Sequence, residues 1–231
     1  MTSSRAPSRA VMWFRRDLRL ADHPALYAAA AGSDEVLPLF VVDPHLWGPA
    51  GVPRRQYLAN SLRMLDADMG GALTLRRGNP VDIVAAVAQE TGASTVHISA
   101  DFGPYGAARD VAVERALAAI GVELVRTGSP YAVAPGRVRK GDGTPYRVYS
   151  PFYRAWLGHG WRGPAAPPDT ISWASDVASE QLSTLGQEQL GSNAIDTGPA
   201  GPPAGEAAAL ARWRHFHDAA LDNYANDRNR P

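Results

Sequence analysis

Five short runs built around apolar residues occur within residues 1–126, at 10–14, 35–43, 72–76, 95–99 and 122–126. Longer amphipathic stretches separate them. No other feature constrains the fold as strongly. A near-continuous apolar run such as "EVLPLFVVD" suits a strand covered on both faces, as strands of parallel sheets are. Amphipathic segments between such strands supply the covering helices, which specifies an α/β fold with right-handed crossovers. Helices are predicted over 21–31, 56–68, 81–90 and 104–120. Asp22 is the expected N-cap of the first, with Pro24 tolerated in its opening turn. Leu58, Leu62 and Leu65 share a face of the second, and Ile83, Val84 and Val87 face inward from the third. The last runs from Gly103-Pro104 to Gly121, the usual punctuation of a helix. With strand order 3-2-1-4-5, strand order reverses between the first and fourth strands. Ligands of open parallel sheets bind there, beyond the carboxyl ends.

The first strand runs directly into charge, in "VMWFRRDLRLADHPAL" at residues 11–26. A dinucleotide site would need G-x-G-x-x-G at this turn, and a P-loop would need G-x-x-x-x-G-K-[ST]; neither is present. Arg15, Arg16 and Arg19 have two readings. They hold an anion or a partner's carboxylates through guanidinium forks, or they form surface ion pairs, one of them to Asp17. Across the predicted cleft, "SADFGPYG" offers Asp101, Tyr105 and Arg109 as spare polar groups. No cysteine is present, which removes disulfide, thiolate and zinc-thiolate chemistry. The six histidines are scattered and no metal site is expected. H-E-x-x-H and G-x-S-x-G are absent. Lys+Arg and Asp+Glu balance at 23 each, so bulk positive potential does not drive nucleic-acid binding, although a local basic site is not excluded. No run approaches the roughly 18 apolar residues of a membrane span. The polar start lacks the apolar core of a signal peptide, and a cytoplasmic location is expected.

Beyond residue 126 the chain changes character. Residues 141–156 are turn-rich and then aromatic. Residues 160–204 are dominated by Gly, Pro, Ser, Thr and Asp and read as a linker or an extended wrap. Leu210, Trp213, Phe216, Ala220 and Tyr224 then recur at helical spacing, so one amphipathic helix is predicted in 205–231. Its apolar face needs a partner. The expected division is an α/β domain over 10–159, an interdomain linker over 160–204 and a truncated start of a further domain over 205–231. Proteolysis is expected between Trp161 and Gly205.

Four stretches in order, "VMWFRRDLRLADHPAL", "LFVVDP", "SADFGPYGAARDVAVERAL" and "GTPYRVYSPFYRAW", resemble the photolyase/cryptochrome family. The first is similar to its signature W-F-R-x-D-L-R-x-x-D-x-x-A-L. The ending "ALARWRHFHDAALDNYANDRNRP" resembles the first helix of the family's flavin-binding domain. The resemblance implies a five-stranded parallel Rossmann-like domain that carries a light-harvesting chromophore and packs on a helical domain holding the catalytic FAD. It implies deoxyribodipyrimidine photolyase activity, the light-driven repair of cyclobutane pyrimidine dimers flipped out of DNA. The alternatives are a cryptochrome-type blue-light photoreceptor part, a non-functional remnant and a freestanding ligand-binding protein. The chain stops where family members continue, so no catalytic residue carries over. The chain alone is expected neither to hold FAD nor to repair DNA. The helical FAD-binding domain is the expected partner, and damaged DNA is engaged only through the full-length protein.

Folate-binding members carry an Asn-Glu pair where this chain has Tyr105 and Gly106. The local "PYG" resembles members that bind a deazaflavin, which is favoured as antenna over folate or FMN. The resemblance then draws the pocket from Phe40, Asp43, Arg54, Arg55, Asp101, Gly103, Tyr105 and Arg109, with an empty pocket as the alternative.

Overall fold

The computed structural model describes residues 7–182, 185 and 201–229. In chain order the elements are β1 (Arg9–Phe14), α1 (Pro24–Gly32), β2 (Glu35–Val42), α2 (Pro44–Trp47), α3 (Val52–Asp68), β3 (Thr74–Arg77) and α4 (Pro80–Thr91). They continue with β4 (Thr95–Ile98), α5 (Pro104–Ala118), β5 (Glu123–Arg126), α6 (Tyr149–His159), α7 (Glu206–Ala219) and α8 (Tyr224–Asp227). The chain forms two compact units. The first contains Ala21–Pro44, Ala72–Glu180 and the residues up to Asp17; the second contains Leu18–Leu20, His45–Gly71 and the residues from Gln181 onward. No described helix is long and apolar enough to cross a membrane.

In the first unit the five strands are parallel and ordered β3-β2-β1-β4-β5, as expected. Register assigns the faces. Val11 pairs with Leu37 and Val96, and Trp13 with Leu39. These side chains join Val84 and Val87 of α4 and Val113 and Leu117 of α5 in one buried cluster. The alternate residues, Met12, Phe14 and Phe40, take the other face. There Phe14 meets His23 edge-on at 5.4 Å, just before α1 buries Ala25, Leu26 and Ala29.

Asp22 is not the cap of α1. Its φ is +48°, and its carboxylate accepts from Arg162 and the Ala165 N–H, both at 2.7 Å. His23 caps instead, its Nδ1 accepting from Leu26 N at 3.2 Å, so the helix starts at Pro24. The aromatic stretch contains a helix, α6, that composition hid. Tyr149, Tyr153 and Trp156 follow helical spacing and Gly160 closes the element at φ +66°. The predicted terminal helix stops at Ala219. Leu221 N bonds back to Phe216 O at 2.9 Å, and the Asp222-Asn223 pair then offers side-chain hydrogen bonding that competes with helix.

The polar segment is a wrap through Glu180. β3 meets β2 only from Leu39 onward, which leaves the start of β2 with an open edge. Residues 172–174 fill it: Val36 N donates to Ser172 O, and Ala174 N to Val36 O, each at 2.9 Å. Leu75 N donates to Ser179 Oγ at 2.9 Å, Glu180 N donates to Leu75 O at 2.8 Å, and Arg9 pairs with Asp176 at 2.8 Å.

In the second unit, Gly205 adopts φ +95° before α7, where a Cβ would sit 2.7 Å from Met64 Cβ. Glu206 accepts from Leu20 N at 2.9 Å, and Arg63 donates to the carbonyls of Leu182 and Leu185, each at 3.2 Å.

The wrap narrows the protease-sensitive stretch. Chymotrypsin should cleave first after Trp161, which is 58% exposed, and spare Trp173 until the sheet unfolds. Mass spectrometry of timed digests checks this; early cleavage after Trp173 would contradict it.

Candidate functional site

The site is built around Trp13, near the carboxyl end of β1. Two guanidinium groups lie over its indole, Arg15 at 5.0 Å and Arg109 at 5.1 Å. Arg15 follows β1 directly. It donates to the Asp110 carboxylate and to the Ser99 carbonyl at the end of β4. Both ion-pair partners are buried, with side chains 7% and 3% exposed. Burial pulls the Arg15 pKa below its usual value, and Asp110 only partly offsets this; the group stays charged. Arg109 donates to the same Asp110 oxygen at 3.0 Å and lies 3.6 Å from Asp101. Arg16 reaches Asp101 at 3.2 Å from a mostly exposed position. Ser99 Oγ donates to Asp17, which also lies 3.2 Å from His23 Nε2.

Of the two readings of these arginines, ion pairing holds for Arg15 and Arg16, but Arg15 does so from a buried position, with Asp110, and Arg16 with Asp101; Arg19 belongs to the second unit. Asp110 was legible as an oddity. It lies on the buried stripe Gly106, Asp110, Val113, Leu117 of α5, where an apolar residue is the default.

Asp43, Asp101, Gly103, Tyr105 and Arg109 meet at this carboxyl edge. Tyr105 donates its hydroxyl to Asp43, just past β2, and its ring lies 5.7 Å from the Arg109 guanidinium. Burial, then the hydrogen bond to Asp43, pushes the phenol up to about 12. Gly103 N donates to Asp101 at 3.0 Å. Burial opposes ionisation of Asp101, but that N–H and the guanidiniums of Arg16, Arg15 and Arg109 outweigh it and hold the carboxyl below its ordinary range. Gly106 has a steric reason: a Cβ there would overlap the Asp101 carboxylate.

The other expected residues are placed differently. Phe40 pairs in register with Phe14, on the sheet face opposite Trp13. Arg54 is exposed on α3, in the second unit. Arg55 is buried there, donating to Trp47 O at 3.0 Å and Gly48 O at 2.5 Å and stacking on Trp47 at 5.4 Å.

The family model for DNA photolyase matches residues 10–170. The chain belongs to the DNA photolyase family. It is 33% identical to a deoxyribodipyrimidine photo-lyase of Synechococcus sp., over 96% of this chain and 48% of that protein. It is 42% identical to that of Streptomyces griseus, over 76% and 40%. The crystal structure of a class III photolyase from Agrobacterium tumefaciens superimposes with a TM-score of 0.82 at 30% identity, over 99% of this chain and 48% of that one. The chain thus spans about half the length of the photolyases it matches.

Two substitutions test the cluster. Asp110→Ala leaves Arg15 charged and buried without its counterion, and stability should fall by about 3–5 kcal/mol. Urea unfolding measures it; a loss below about 1 kcal/mol would remove the pair from its structural role. Gly106→Ala should cost about 1–3 kcal/mol by overpacking. Asp101→Ala in the same chain should recover part of that cost, whereas strictly additive losses would mean that the two positions do not collide.

Proposed function

We propose that this chain is the light-harvesting part of a deoxyribodipyrimidine photolyase, and that its carboxyl-edge cluster seats a planar antenna chromophore of the deazaflavin class. Repair then also needs a flavin-binding helical part. The observation that carries the antenna reading is the packing of Gly106 on Asp101. An acidic side chain of the folate-binding type has no room at position 106. The neighbouring position holds Tyr105, which directs its phenol to Asp43.

The donor set suits a flat heterocycle. Asp43 and Asp101 accept ring N–H or hydroxyl donors, the Gly103 turn lets a ring approach backbone, and Arg109 balances anionic character. Tyr105 supplies an aromatic face, and Trp13 fixes Arg109 from below. When bound, such a chromophore supplies strong near-visible absorption. The protein's own contribution is to hold it rigidly and exclude water from its polar edge. The Tyr105–Asp43 hydrogen bond is the contact a ligand exchanges against. As a neutral phenol, Tyr105 donates its hydroxyl to the Asp43 carboxylate.

Titration of the purified chain with a deazaflavin, FMN and a folate, followed by absorbance and fluorescence, tests this reading. The deazaflavin should bind, and Asp43→Asn should weaken it about tenfold or more, the scale of one hydrogen bond to a charged group. Binding of folate alone, or of none of the three, would overturn the assignment.

A further inference from the structure

In the first unit, the loop after β5 and helix α6 enclose an open groove that the antenna reading does not use. Its volume is about 480 Å³, and its walls include the rings of Tyr131, Tyr146, Phe152 and Trp156 with Pro135 and Pro145. The rings are held by one another. Tyr146 meets Phe152 edge-on at 6.3 Å, and Trp156 is stacked between Tyr153 and Trp161, at 6.5 and 5.1 Å. The loop is braced as well: Arg139 donates to the carbonyls of Gly136 and Gly143 at 2.9 and 3.1 Å, and Lys140 N donates to Thr144 O at 3.0 Å. A groove braced in this way is formed before a ligand arrives, which lowers the ordering cost of binding. Its polar groups are one-sided. Among the described residues, the Tyr131 and Tyr146 hydroxyls and the Trp156 indole N–H have no hydrogen-bond partner, and no carboxylate lines the groove. The surrounding charge is one-sided too. Residues 131–156 carry Arg137, Arg139, Lys140, Arg147 and Arg154 against Asp142 alone, and Asp142 accepts from Thr144 N at 2.9 Å and Thr144 Oγ1 at 2.6 Å.

We propose that this groove binds a proline-rich segment of a partner protein, in the polyproline II form and flanked by acidic residues. Proline presents a flat apolar ring and a backbone carbonyl but no N–H. A polyproline II chain makes no internal hydrogen bonds, so its carbonyls are free to accept from the three donors. Aromatic-lined grooves take such segments because the preformed helix loses little entropy on docking. A helical partner would keep its carbonyls in its own ladder and leave the donors unmet. Bases would need open ring faces, and those of Tyr153 and Trp156 are covered by neighbouring rings. A second copy apposed through the same face would set like charges against each other, whereas acidic flanks answer the surplus cations. The inference shares no residue with the antenna site, and the failure of either leaves the other standing.

The test is fluorescence anisotropy of the full chain with a fluorescein-labelled hexaproline peptide that carries glutamates at both ends. The peptide should bind, and its counterpart with alanines in place of the prolines should bind about tenfold more weakly or worse, having lost the preformed backbone. Lysines in place of the glutamates should also weaken binding. Tyr146→Phe with Trp156→Phe removes two donors and keeps an aromatic ring at each position. Affinity should fall about twentyfold, at about fivefold for each lost hydrogen bond, with circular dichroism unchanged. No binding at about 1 mM peptide would overturn the proposal, as would equal affinity for the alanine peptide or wild-type affinity in the double variant. So would an oligothymidylate that binds more tightly than the peptide, or a dimer in sedimentation that the double variant dissolves, since the groove would then belong to nucleic acid or to a second copy.

Discussion

The carboxyl edge of the sheet depends on one buried ion pair, Arg15 with Asp110. Arg15 is the first residue after β1, and its fork spans Asp110 on α5 and the Ser99 carbonyl at the end of β4. One side chain thus ties two neighbouring strands to the helix that opens beside them. Arg109 shares the same Asp110 oxygen, which places it over Trp13. With α5 held there, Tyr105 in its first turn reaches Asp43 beyond β2. The pair is costly to desolvate and more costly to break, because either charge left alone is stranded in apolar surroundings. This accounts for arginines at a turn where many parallel-sheet proteins carry glycines. A glycine-rich turn offers backbone N–H groups to a phosphate, whereas this turn must reach a carboxylate on a distant helix.

A second constraint acts on the chain beyond the strands. β2 is longer than β3, and the backbone groups at its start would lack partners. Residues 172–174 satisfy them, and Ser179 and Glu180 do the same for Leu75. A segment poor in apolar side chains is therefore ordered mainly by main-chain hydrogen bonds. Hydrophobic patterning does not register that kind of order, so composition marks such a stretch as linker.

Much of the α/β unit was legible. The apolar runs were long enough to mark strands covered on both faces, and each strand was found within one or two residues of its expected place. Helix starts were less legible. His23 took the capping role because Asp22 was drawn to Arg162, 140 positions away. Helix α6 was masked because its stripe is aromatic and stays exposed, and an exposed helix leaves no clean alternation of apolar and polar residues. At the site, Asp101, Tyr105 and Arg109 could be singled out as polar groups at a helix start. Asp110 could not be paired with Arg15, since nothing local links positions 95 residues apart. Phe40 and Arg55 are placed by constraints that no local pattern shows: strand parity sends Phe40 to the face opposite Trp13, and the carbonyls of Trp47 and Gly48 claim Arg55.

By itself the amino-acid sequence determined the layer architecture, the absence of a glycine-rich phosphate loop and the family, because these follow from local periodicity and contiguous signatures. Tertiary structure alone decided which charges neutralise one another, which face each ring takes and why position 106 must be glycine. These outcomes depend on through-space distances between segments far apart in the chain. Coulombic pairing, desolvation and steric exclusion act over a few ångströms whatever the separation in sequence.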